Sequence, residues 1–551
     1  MRLRSRELAA RFARAADPAR VDRWAGPIVL VALAAYAVLA LYLTRGVSFT
    51  GDELSYFGDS TGWGPGSILH PHNGHAIAVT RVIYEGSLSL FGTSYLPIKL
   101  SMIAGVVLTG WLLYVFLARR IGRAAAIAPV VVLAFAGANP VLVQGNVMMF
   151  AQASAAGIGA LLLLDRRDRI GDAFAALLLL VAAFSIEVGV GFGVGVGLWL
   201  VWERDWRRLW VPAVPLIAYA AWFAWSRQFG QESGELANVL LTPSYAADSM
   251  AAAVGSYLGF GIELVGGGIS TPALGWGRIL ATLVAIALVA RALRVRPGPA
   301  VLVPIGILLV LWVGGALVYG PQRSPVEPRY LVAVMIALLL LAGELHRGWR
   351  PTRAALLALL LAAAVALPGN LYLLRSRAEG VRSFAAAAKG QLAALELQPG
   401  AAALQQPVTK AYIEGVEKWG SLAPPATALP ASAPEVRAKA DETLAALLKP
   451  ALVTAPAPRR SECAAAEGPE AALPQGGAVL VSETGGGVTL RRFGDAASID
   501  AGTLAPGQPA ALVLNPDASP VPWRATVAGA SDVRVCTLSE EPIPPSAAPA
   551  G

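Results

Sequence analysis

The residues best suited to chemistry are concentrated between positions 48 and 75, where the sequence reads SFTGDELSYFGDSTGWGPGSILHPHNGH. This segment contains the adjacent carboxylates Asp52 and Glu53 and three of the four histidines in the chain. A carboxylate beside apolar surroundings is partly desolvated, which raises its pKa toward neutral pH and favours a role as general base. The alternative for Asp52 is an ordinary helix N-cap before ELSYF, because Asp is common at that position.

The histidines at the end of the segment have two interpretations. His70, His72 and His75 are close enough in sequence for two of them to share a metal ion, but a zinc site needs further ligands in a defined geometry, and no cysteine lies nearby. The Pro and Gly residues of HPHNGH favour a bent entry to the next helix, which Asn73 or His72 would cap. Substrate contact by His72 or His75 is the functional interpretation.

A third acidic candidate, Glu187, lies in FSIEVGVGFGVGVG, at a turn between two short apolar runs. An acid so close to a bilayer is costly unless it has a partner or a function, so Glu187 is a candidate site residue. A turn residue that reaches interfacial water is the alternative. The glycines after it lie in an apolar run without GK[ST], which favours close helix packing over phosphate binding.

The composition places these residues in a membrane protein. Of the 551 residues, 56% are hydrophobic and 15% are charged, and apolar runs of membrane-spanning length recur along the first two thirds of the chain. The formal charge of +8 does not indicate nucleic-acid binding, because the arginines cluster in short segments and no basic helix face carries interleaved aromatics. We predict spans near 27–43, 98–118, 124–142, 147–164, 171–185, 188–202, 209–226, 275–292, 299–318, 330–345 and 353–373.

The positions of the arginine groups predict the topology. They recur after alternate spans and in the N-terminal tail, residues 1–26, whereas the opposite loops are poor in Arg and Lys. The tail is therefore expected in the cytoplasm, and a large loop at 44–97, with Asp52 and Glu53, outside. Polar residues within 76–92 and 250–270 favour interfacial helices there rather than further spans.

The chemistry of the chain changes after about residue 375. Residues 27–375 are predicted to form the membrane domain, residues 376–540 an extracytoplasmic domain that begins with a helix, and residues 541–551 a disordered tail. Short β-like runs separated by turn residues predict a β-sandwich or jelly roll. They are GAVLVSE from 477, GVTLRRF from 487, AALVLNP from 510, WRATVAG from 523 and DVRVCTL from 532.

The two cysteines of the chain, Cys463 and Cys536, both lie in this C-terminal region. An oxidising compartment favours a disulfide between them, and two reduced buried thiols are the alternative.

One helix, then an outer loop that opens with an acidic pair, then many spans, resembles the GT-C superfamily of integral-membrane glycosyltransferases. Its oligosaccharyl-, protein-mannosyl- and lipid-A-aminoarabinosyl-transferases carry such an acidic motif in the first outer loop, usually followed by interfacial helices. A second similarity is EPRYLVAVMIALLLLAGE, in which Arg329, Tyr330 and Leu331 begin a late span. The proline that often comes next in the family is absent. The resemblance covers about residues 1–375.

The resemblance implies a polyprenyl-phosphate sugar as donor and a glycan, lipid or protein of the cell envelope as acceptor. Asp52 would take the proton from the acceptor hydroxyl, with inversion at the anomeric carbon, and Glu53 would orient the acceptor or hold a divalent cation. Arginine matches phosphate oxygens in a fork, so basic residues near the outer surface would bind the departing phosphate. The substrate-binding candidates are His72, His75, Glu187, Arg227, Arg323, Arg329 and Tyr330.

Two other functions remain as alternatives. A lipid-linked saccharide flippase or transporter would typically show an internal repeat and polar residues at mid-membrane depth, whereas most ionisable residues here fall at span ends. A non-catalytic GT-C relative could serve as an envelope-binding scaffold, although eleven spans exceed what an anchor needs. The sequence therefore predicts an α-helical polytopic protein of the cell membrane, GT-C-like, with an extracytoplasmic β-rich domain.

Overall fold

The computed structural model describes residues 18–59, 62–139, 148–230, 234–260, 263–265, 268–270, 274–320, 324–398, 407–466, 470–494, 499–514, 516–517 and 519–538. The chain divides into two compact units. The first, called the helical unit below, comprises Met1–Arg45 and Asp59–Arg382. The second, called the sheet-containing unit, comprises Gly46–Gly58 and Ser383–Gly551. The acidic segment after the first helix therefore groups with the C-terminal part of the chain.

Helices occupy each of the eleven regions predicted as spans. In chain order up to residue 397, the helices are α1 (Pro18–Leu43), α2 (Asp52–Asp59), α3 (Pro65–Ile68), α4 (Ala78–Phe91), α5 (Leu96–Ile121), α6 (Arg123–Ala134), α7 (Met148–Leu164), α8 (Arg169–Ala183), α9 (Glu187–Glu203), α10 (Trp210–Ser226), α11 (Thr242–Tyr257), α12 (Leu274–Val295), α13 (Leu302–Leu317), α14 (Pro328–Leu345) and α15 (Arg353–Leu397). Short 3₁₀ turns lie at Trp206–Arg208, Arg227–Phe229, Leu236–Leu241 and Pro299–Val301.

Five helical segments of the described chain are long and apolar enough to cross a membrane. They are α1, α5, α14, α15 and the segment Pro299–Leu317, which includes α13. The remaining predicted spans coincide with helices that are shorter or less apolar. The membrane character is thus clear from the helices, and the number of eleven spans stays a prediction.

The two segments predicted as interfacial differ from each other. Residues 76–92 contain the helix α4, in which Arg81 and Glu85 are buried within the protein, at 5% and 3% exposed. Within 250–270, α11 is packed inside the helical unit, and its residues from Ala251 to Val254 are at most 3% exposed. It ends at Tyr257, and a short hairpin of β1 (Glu263–Val265) and β2 (Gly268–Ser270) follows.

The glycine-rich run of α9 packs against α13, as its apolar context predicts. A Cβ atom added at Gly195 would lie 2.4 Å from the Val303 carbonyl oxygen, and one at Gly191 would lie 2.9 Å from the Cα of Ile307. Only hydrogen fits at these positions, because the two helix backbones approach each other closely. The run therefore has a packing role.

Arginines of the predicted cytoplasmic groups also hold the helices together. Arg120 is buried and donates from Nε to Glu344 Oε1 over 2.8 Å and from Nη1 to Asp165 Oδ2 over 2.9 Å. Arg208 donates from Nη2 to Asp172 Oδ1 over 2.5 Å. Because a buried charge is costly without a partner, these pairs fix the ends of the helices that carry them.

The sheet-containing unit has helices α16 (Pro407–Trp419) and α17 (Pro434–Leu448) and, in the described residues, two antiparallel sheets. One sheet has the order β5-β10-β7-β8 and the other β3-β9-β6-β11-β4. The strands are β3 (Leu452–Thr454), β4 (Cys463–Ala465), β5 (Glu470–Ala472), β6 (Gly477–Val481), β7 (Gly486–Arg491), β8 (Ile499–Leu504), β9 (Ala510–Val513), β10 (Arg524–Val527) and β11 (Arg534–Cys536). All five predicted runs contain strands.

One apolar core joins the two sheets, as in a β-sandwich. Leu490 and Val527 of the four-stranded sheet share it with Leu480 and Leu512 of the five-stranded sheet and with Leu444 of α17. Cys463 and Cys536, which are paired across β4 and β11, form the disulfide expected from the compartment argument.

Candidate functional site

The HPHNGH motif folds as a two-residue hairpin turn in the helical unit. The backbone N–H of His75 donates to the carbonyl of His72 over 2.8 Å, and the N–H of His72 donates back over 3.2 Å. Asn73 and Gly74 have φ of 48° and 88°, the left-handed pair that a tight hairpin requires and that Asn-Gly supplies best. The N-cap of α4 is Ile77, which lies after the motif, so the prediction that Asn73 or His72 caps this helix is wrong.

The turn brings His75 to Glu187. His75 Nδ1 and Glu187 Oε1 are 2.6 Å apart, and the two side chains are 31% and 34% exposed. Because a carboxylate only accepts, the imidazole carries its hydrogen on Nδ1, which makes Nε2 of the neutral ring an acceptor and a base. Glu187 is the first residue of α9, where the helix dipole favours a negative charge.

Aromatic side chains lie near this pair, at the residue that follows α8 and on α10, where Tyr219 is close enough to Glu187 for the two to interact. The rings of Tyr219 and Trp222 are 5.4 Å apart, and that of Trp222 lies 6.4 Å from the ring of Phe184. The indole N–H of Trp222 donates to the carbonyl of Leu69 over 2.8 Å. The bond fastens the histidine segment, defined here as residues 63–77, to α10.

Arg81 anchors the same segment from α4. Its Nε donates to the carbonyl of His70 over 3.0 Å, and its Nη2 lies 3.4 Å from Asp59 Oδ2. The His70 ring packs edge-on against Phe229 at 4.7 Å, and Phe229 is two residues from the exposed Arg227. Two of the candidates predicted from the sequence, His75 and Glu187, are thus in direct contact, and Arg227 lies on a turn that packs against this segment.

Arg329 and Tyr330 lie in the first turn of α14, which begins at Pro328. The Arg329 guanidinium lies 5.2 Å from the centre of the Tyr330 ring, and that ring packs edge-on against Phe150 at 6.0 Å. A guanidinium over an aromatic face is held in a defined plane and keeps its N–H groups at the edge. This geometry suits a forked contact with phosphate. Arg323 lies outside the described residues.

The acidic pair lies in the sheet-containing unit, where its two carboxylates have different surroundings. Glu53 is 1% exposed, and its Oε2 accepts from the backbone N–H of Thr50 over 3.0 Å and lies 3.3 Å from the Thr50 hydroxyl. The N–H of Glu53 donates in turn to the carbonyl of Thr50. The Glu53 side chain thus folds back onto the backbone just before α2, as the acidic residue of a capping box does, although the Glu53 N–H bonds to the Thr50 carbonyl and not to its hydroxyl. Asp52, the first residue of α2, is half-buried.

The described residues do not fit a divalent cation at these sites. No group of three or more His, Cys, Asp or Glu side chains comes together as a metal site in the described parts of the chain. The Glu53 carboxylate is directed to the backbone of Thr50, and His75 is directed to Glu187. We therefore derive no chemistry through a metal ion.

Sequence inspection assigned His75 and Glu187 separately and missed their pairing, which joins positions 112 residues apart. The Asn-Gly dipeptide was the available signal for the turn, since it favours a two-residue hairpin and would set His72 opposite His75. The aromatic residues Tyr219 and Trp222 had no signal beyond their place in an apolar run.

Neither a family model nor a curated protein sequence matches the chain. Solved structures to which the chain is similar include two of ArnT from Cupriavidus metallidurans, one bound to undecaprenyl phosphate and one in the apo state. The identity to the bound form is 14% and the TM-score is 0.44, over 69% of this chain and 81% of that one. The identity to the apo form is 15% and the TM-score is 0.44, over 69% of this chain and 80% of that one.

Proposed function

We propose that the chain is an integral-membrane glycosyltransferase of GT-C type. It would move a sugar from a polyprenyl-phosphate donor to a hydroxyl of a cell-envelope acceptor, with inversion at the anomeric carbon. The resemblance of the motifs around Asp52 and Arg329 to those of the GT-C superfamily implies this reaction class, and the apolar helices supply the bilayer setting that a polyprenyl donor needs.

The observation that carries the proposal is the difference between the two adjacent carboxylates. Glu53 is almost fully buried and accepts from Thr50, whereas Asp52 is half-buried. A carboxylate whose oxygens accept backbone hydrogen bonds is a poor base, because those bonds stabilise its charged form. Glu53 is thus committed to the start of α2, and we assign proton transfer to Asp52, the more exposed member of the pair.

In the proposed step, Asp52 accepts the proton of the acceptor hydroxyl as that oxygen attacks the anomeric carbon. The bond from the anomeric carbon to the phosphate oxygen breaks, and its electron pair leaves with polyprenyl phosphate. The products are the glycoside and the lipid phosphate, and the proton on Asp52 returns to water. General bases of this kind contribute about 10²- to 10⁴-fold to a rate.

Two further groups of residues take binding roles in the proposal. Arg329, held over Tyr330, would bind the departing phosphate through its forked N–H groups, which stabilise the charge that develops on the leaving oxygen. The His75–Glu187 pair would bind sugar hydroxyls, because its ring nitrogen and carboxylate oxygens can both accept a hydroxyl hydrogen. Aromatic neighbours around such polar groups are common in ligand sites.

The test is a transfer assay with the purified full chain in lipid nanodiscs and a panel of radiolabelled polyprenyl-phosphate sugars. Undecaprenyl phosphate is the first carrier to use. Wild type is expected to release free polyprenyl phosphate, and Arg329→Ala to raise the KM for donor about tenfold more than Arg329→Lys, because Lys keeps the charge but loses the fork.

A chelator lane should leave the rate unchanged, since the described residues do not form a metal site. Tight donor binding by wild type without any consumption would contradict the proposal. It would favour a non-catalytic relative or a flippase, which movement of the same donor across the bilayer would separate.

A further inference from the structure

The acidic segment, defined here as residues 46–58, is built into the sheet-containing unit. Lys389 of α15 donates from Nζ to the carbonyl of Gly46 over 3.1 Å. Phe49 and Phe57, at 1% and 0% exposed, have ring centres 5.8 Å apart within the segment. The segment therefore has a buried apolar core of its own and is fixed at its start.

The far side of Phe57 packs against α16. Its ring stacks on that of Tyr412 with centres 5.9 Å apart and planes inclined by 30°, and Tyr412 is fully buried. The Tyr412 hydroxyl donates to the Glu396 carboxylate at the end of α15, to which Ser421 also donates, over 2.7 Å. Tyr412 thus joins α2 to two helices of the sheet-containing unit through one ring and one hydroxyl.

Two glycines allow α2 and α16 to touch along their backbones. A Cβ atom added at Gly58 would lie 2.0 Å from the Ala411 carbonyl oxygen, and one added at Gly415 would lie 2.3 Å from Phe57 Cδ1. Real Cβ atoms do not approach so closely, so any other residue at Gly58 would push the two helices apart. The contact fixes both the distance and the rotation of α2.

We propose that the sheet-containing unit is the device that positions Asp52, with Tyr412, Gly58 and Gly415 as positioning residues that act through α2. This inference rests on the proposed function for the role of Asp52. It assigns the C-terminal part of the chain a part in the reaction without any contact to substrate. A shift of about 1 Å in a base costs about 100-fold in rate, so such a support has a large effect on turnover.

The test uses the full chain in nanodiscs with two readouts, hydrogen exchange of the acidic segment and turnover of the donor. Gly58→Ala is the main variant, and Gly487→Ala is its control, since it makes the same change in the same unit at a position with no atom within 4 Å. Alanine is intrinsically better in a helix than glycine, so a loss at Gly58→Ala reports the contact and not propensity.

In Gly58→Ala we expect faster amide hydrogen exchange within residues 46–58 alone. We also expect kcat to fall about 100-fold, while the KM for donor changes less than about threefold. Tyr412→Phe keeps the stacked ring and should retain most of the turnover, whereas Tyr412→Leu should lose it with the same split between kcat and KM. Turnover that is retained in Tyr412→Phe and lost in Tyr412→Leu would show that the stacked ring positions the segment and would distinguish this role from general misfolding.

Unchanged exchange and turnover in Gly58→Ala, matching Gly487→Ala, would overturn the inference. Faster exchange with full turnover would overturn it as well, because the segment would then need no support. If wild type turns over no donor at all, the proposed function fails, and the exchange result alone decides whether this unit holds the acidic segment.

Discussion

The acidic segment and the histidine segment are neighbours in sequence, yet they belong to different compact units and use their carboxylates differently. In the acidic segment, Glu53 is 1% exposed and caps α2 through the backbone N–H of Thr50. In the histidine segment, His75 faces Glu187 at 2.6 Å, and both side chains are about one third exposed.

The difference shows what decides the role of an acidic side chain. A carboxylate bound to backbone N–H groups stabilises local structure and holds its charge. A carboxylate opposite an imidazole, open in part to solvent, sets the tautomer of that ring and can exchange hydrogen bonds with a ligand. Only the second arrangement, or a half-buried carboxylate such as Asp52, is suited to substrate chemistry.

The largest expected effect concerns stability and should distinguish the acidic segment from the histidine segment, because the two belong to different units. The disulfide of Cys463 and Cys536 closes a sequence separation of 73 residues, and its removal in the double variant Cys463→Ala/Cys536→Ala should lower the stability of the sheet-containing unit by about 2–4 kcal/mol. Hydrogen exchange should then rise in residues 46–58 and stay unchanged in residues 63–77. Equal rises in both segments would contradict the division of the chain into these units.

The next effect concerns the His75–Glu187 pair. Glu187→Gln removes the negative partner and leaves the imidazole less basic, so we expect about a tenfold loss in kcat/KM, and His75→Asn a similar one. In a double-mutant cycle the two changes should be non-additive by about 1–2 kcal/mol, as contacting polar residues are.

Glu203→Gln is the matched control for Glu187→Gln, because Glu187 is the first residue of α9 and Glu203 is the last. Additive losses from His75→Asn and Glu187→Gln would show that the pair has no joint role.

A smaller effect tests the capping role of Glu53. Glu53→Ala should lower the stability of the sheet-containing unit by about 1 kcal/mol, as loss of a cap does. Glu53→Gln should lower it by less, because the amide oxygen of Gln can still accept from the Thr50 N–H. Thermal unfolding of the two variants beside wild type measures the difference. Equal destabilisation by Ala and Gln would mean that the charge, and not the hydrogen bond, matters.

The smallest effect is a pH dependence within the sheet-containing unit. Hydrogen bonds from the Ser482 hydroxyl and the Glu483 N–H hold the pKa of Asp532 below its ordinary value of about 3.9. A depressed pKa in the folded state contributes stability that is present above the unfolded value and is lost as the pH falls through the folded value.

The unfolding temperature of this unit should therefore fall as the pH is lowered below about 4. Asp532→Asn should be less stable at neutral pH and should show a flatter profile, because its hydrogen-bonded group no longer titrates. An identical pH profile in the variant would exclude Asp532 as a source of the dependence.

Parts of this structure follow from the sequence for clear physical reasons. Long apolar runs must be helical in lipid, so the helices coincide with the predicted spans. The strands of the C-terminal region could be predicted from short β-like runs separated by turn residues. The disulfide could be predicted because both cysteines lie in a region that is expected in an oxidising compartment. The glycines of α9 were assigned to packing because no phosphate-binding sequence follows them.

Other features depend on contacts between distant residues, which local patterns do not encode. Asp52 and Glu53 look alike in the sequence, and the burial of Glu53 with its bond to the backbone N–H of Thr50 becomes visible only in the structure. The stacking of Phe57 on Tyr412 and the pairing of His75 with Glu187 each join separate helices or loops. Such pairs arise from packing, so single-sequence reasoning found His75 and Glu187 without their pairing and did not find Phe57 and Tyr412.

The most direct test of the central claim is the turnover of Asp52→Asn and Glu53→Gln, measured side by side on the same donor in nanodiscs. Both variants replace one carboxylate oxygen by an amide nitrogen, so they differ only in which member of the pair is neutralised. We predict a loss of about 10²- to 10⁴-fold for Asp52→Asn, as expected for a general base, and a loss below about threefold for Glu53→Gln, whose amide still caps the helix. The reverse order, or equal losses, would contradict the assignment of Asp52 as the base and Glu53 as its support.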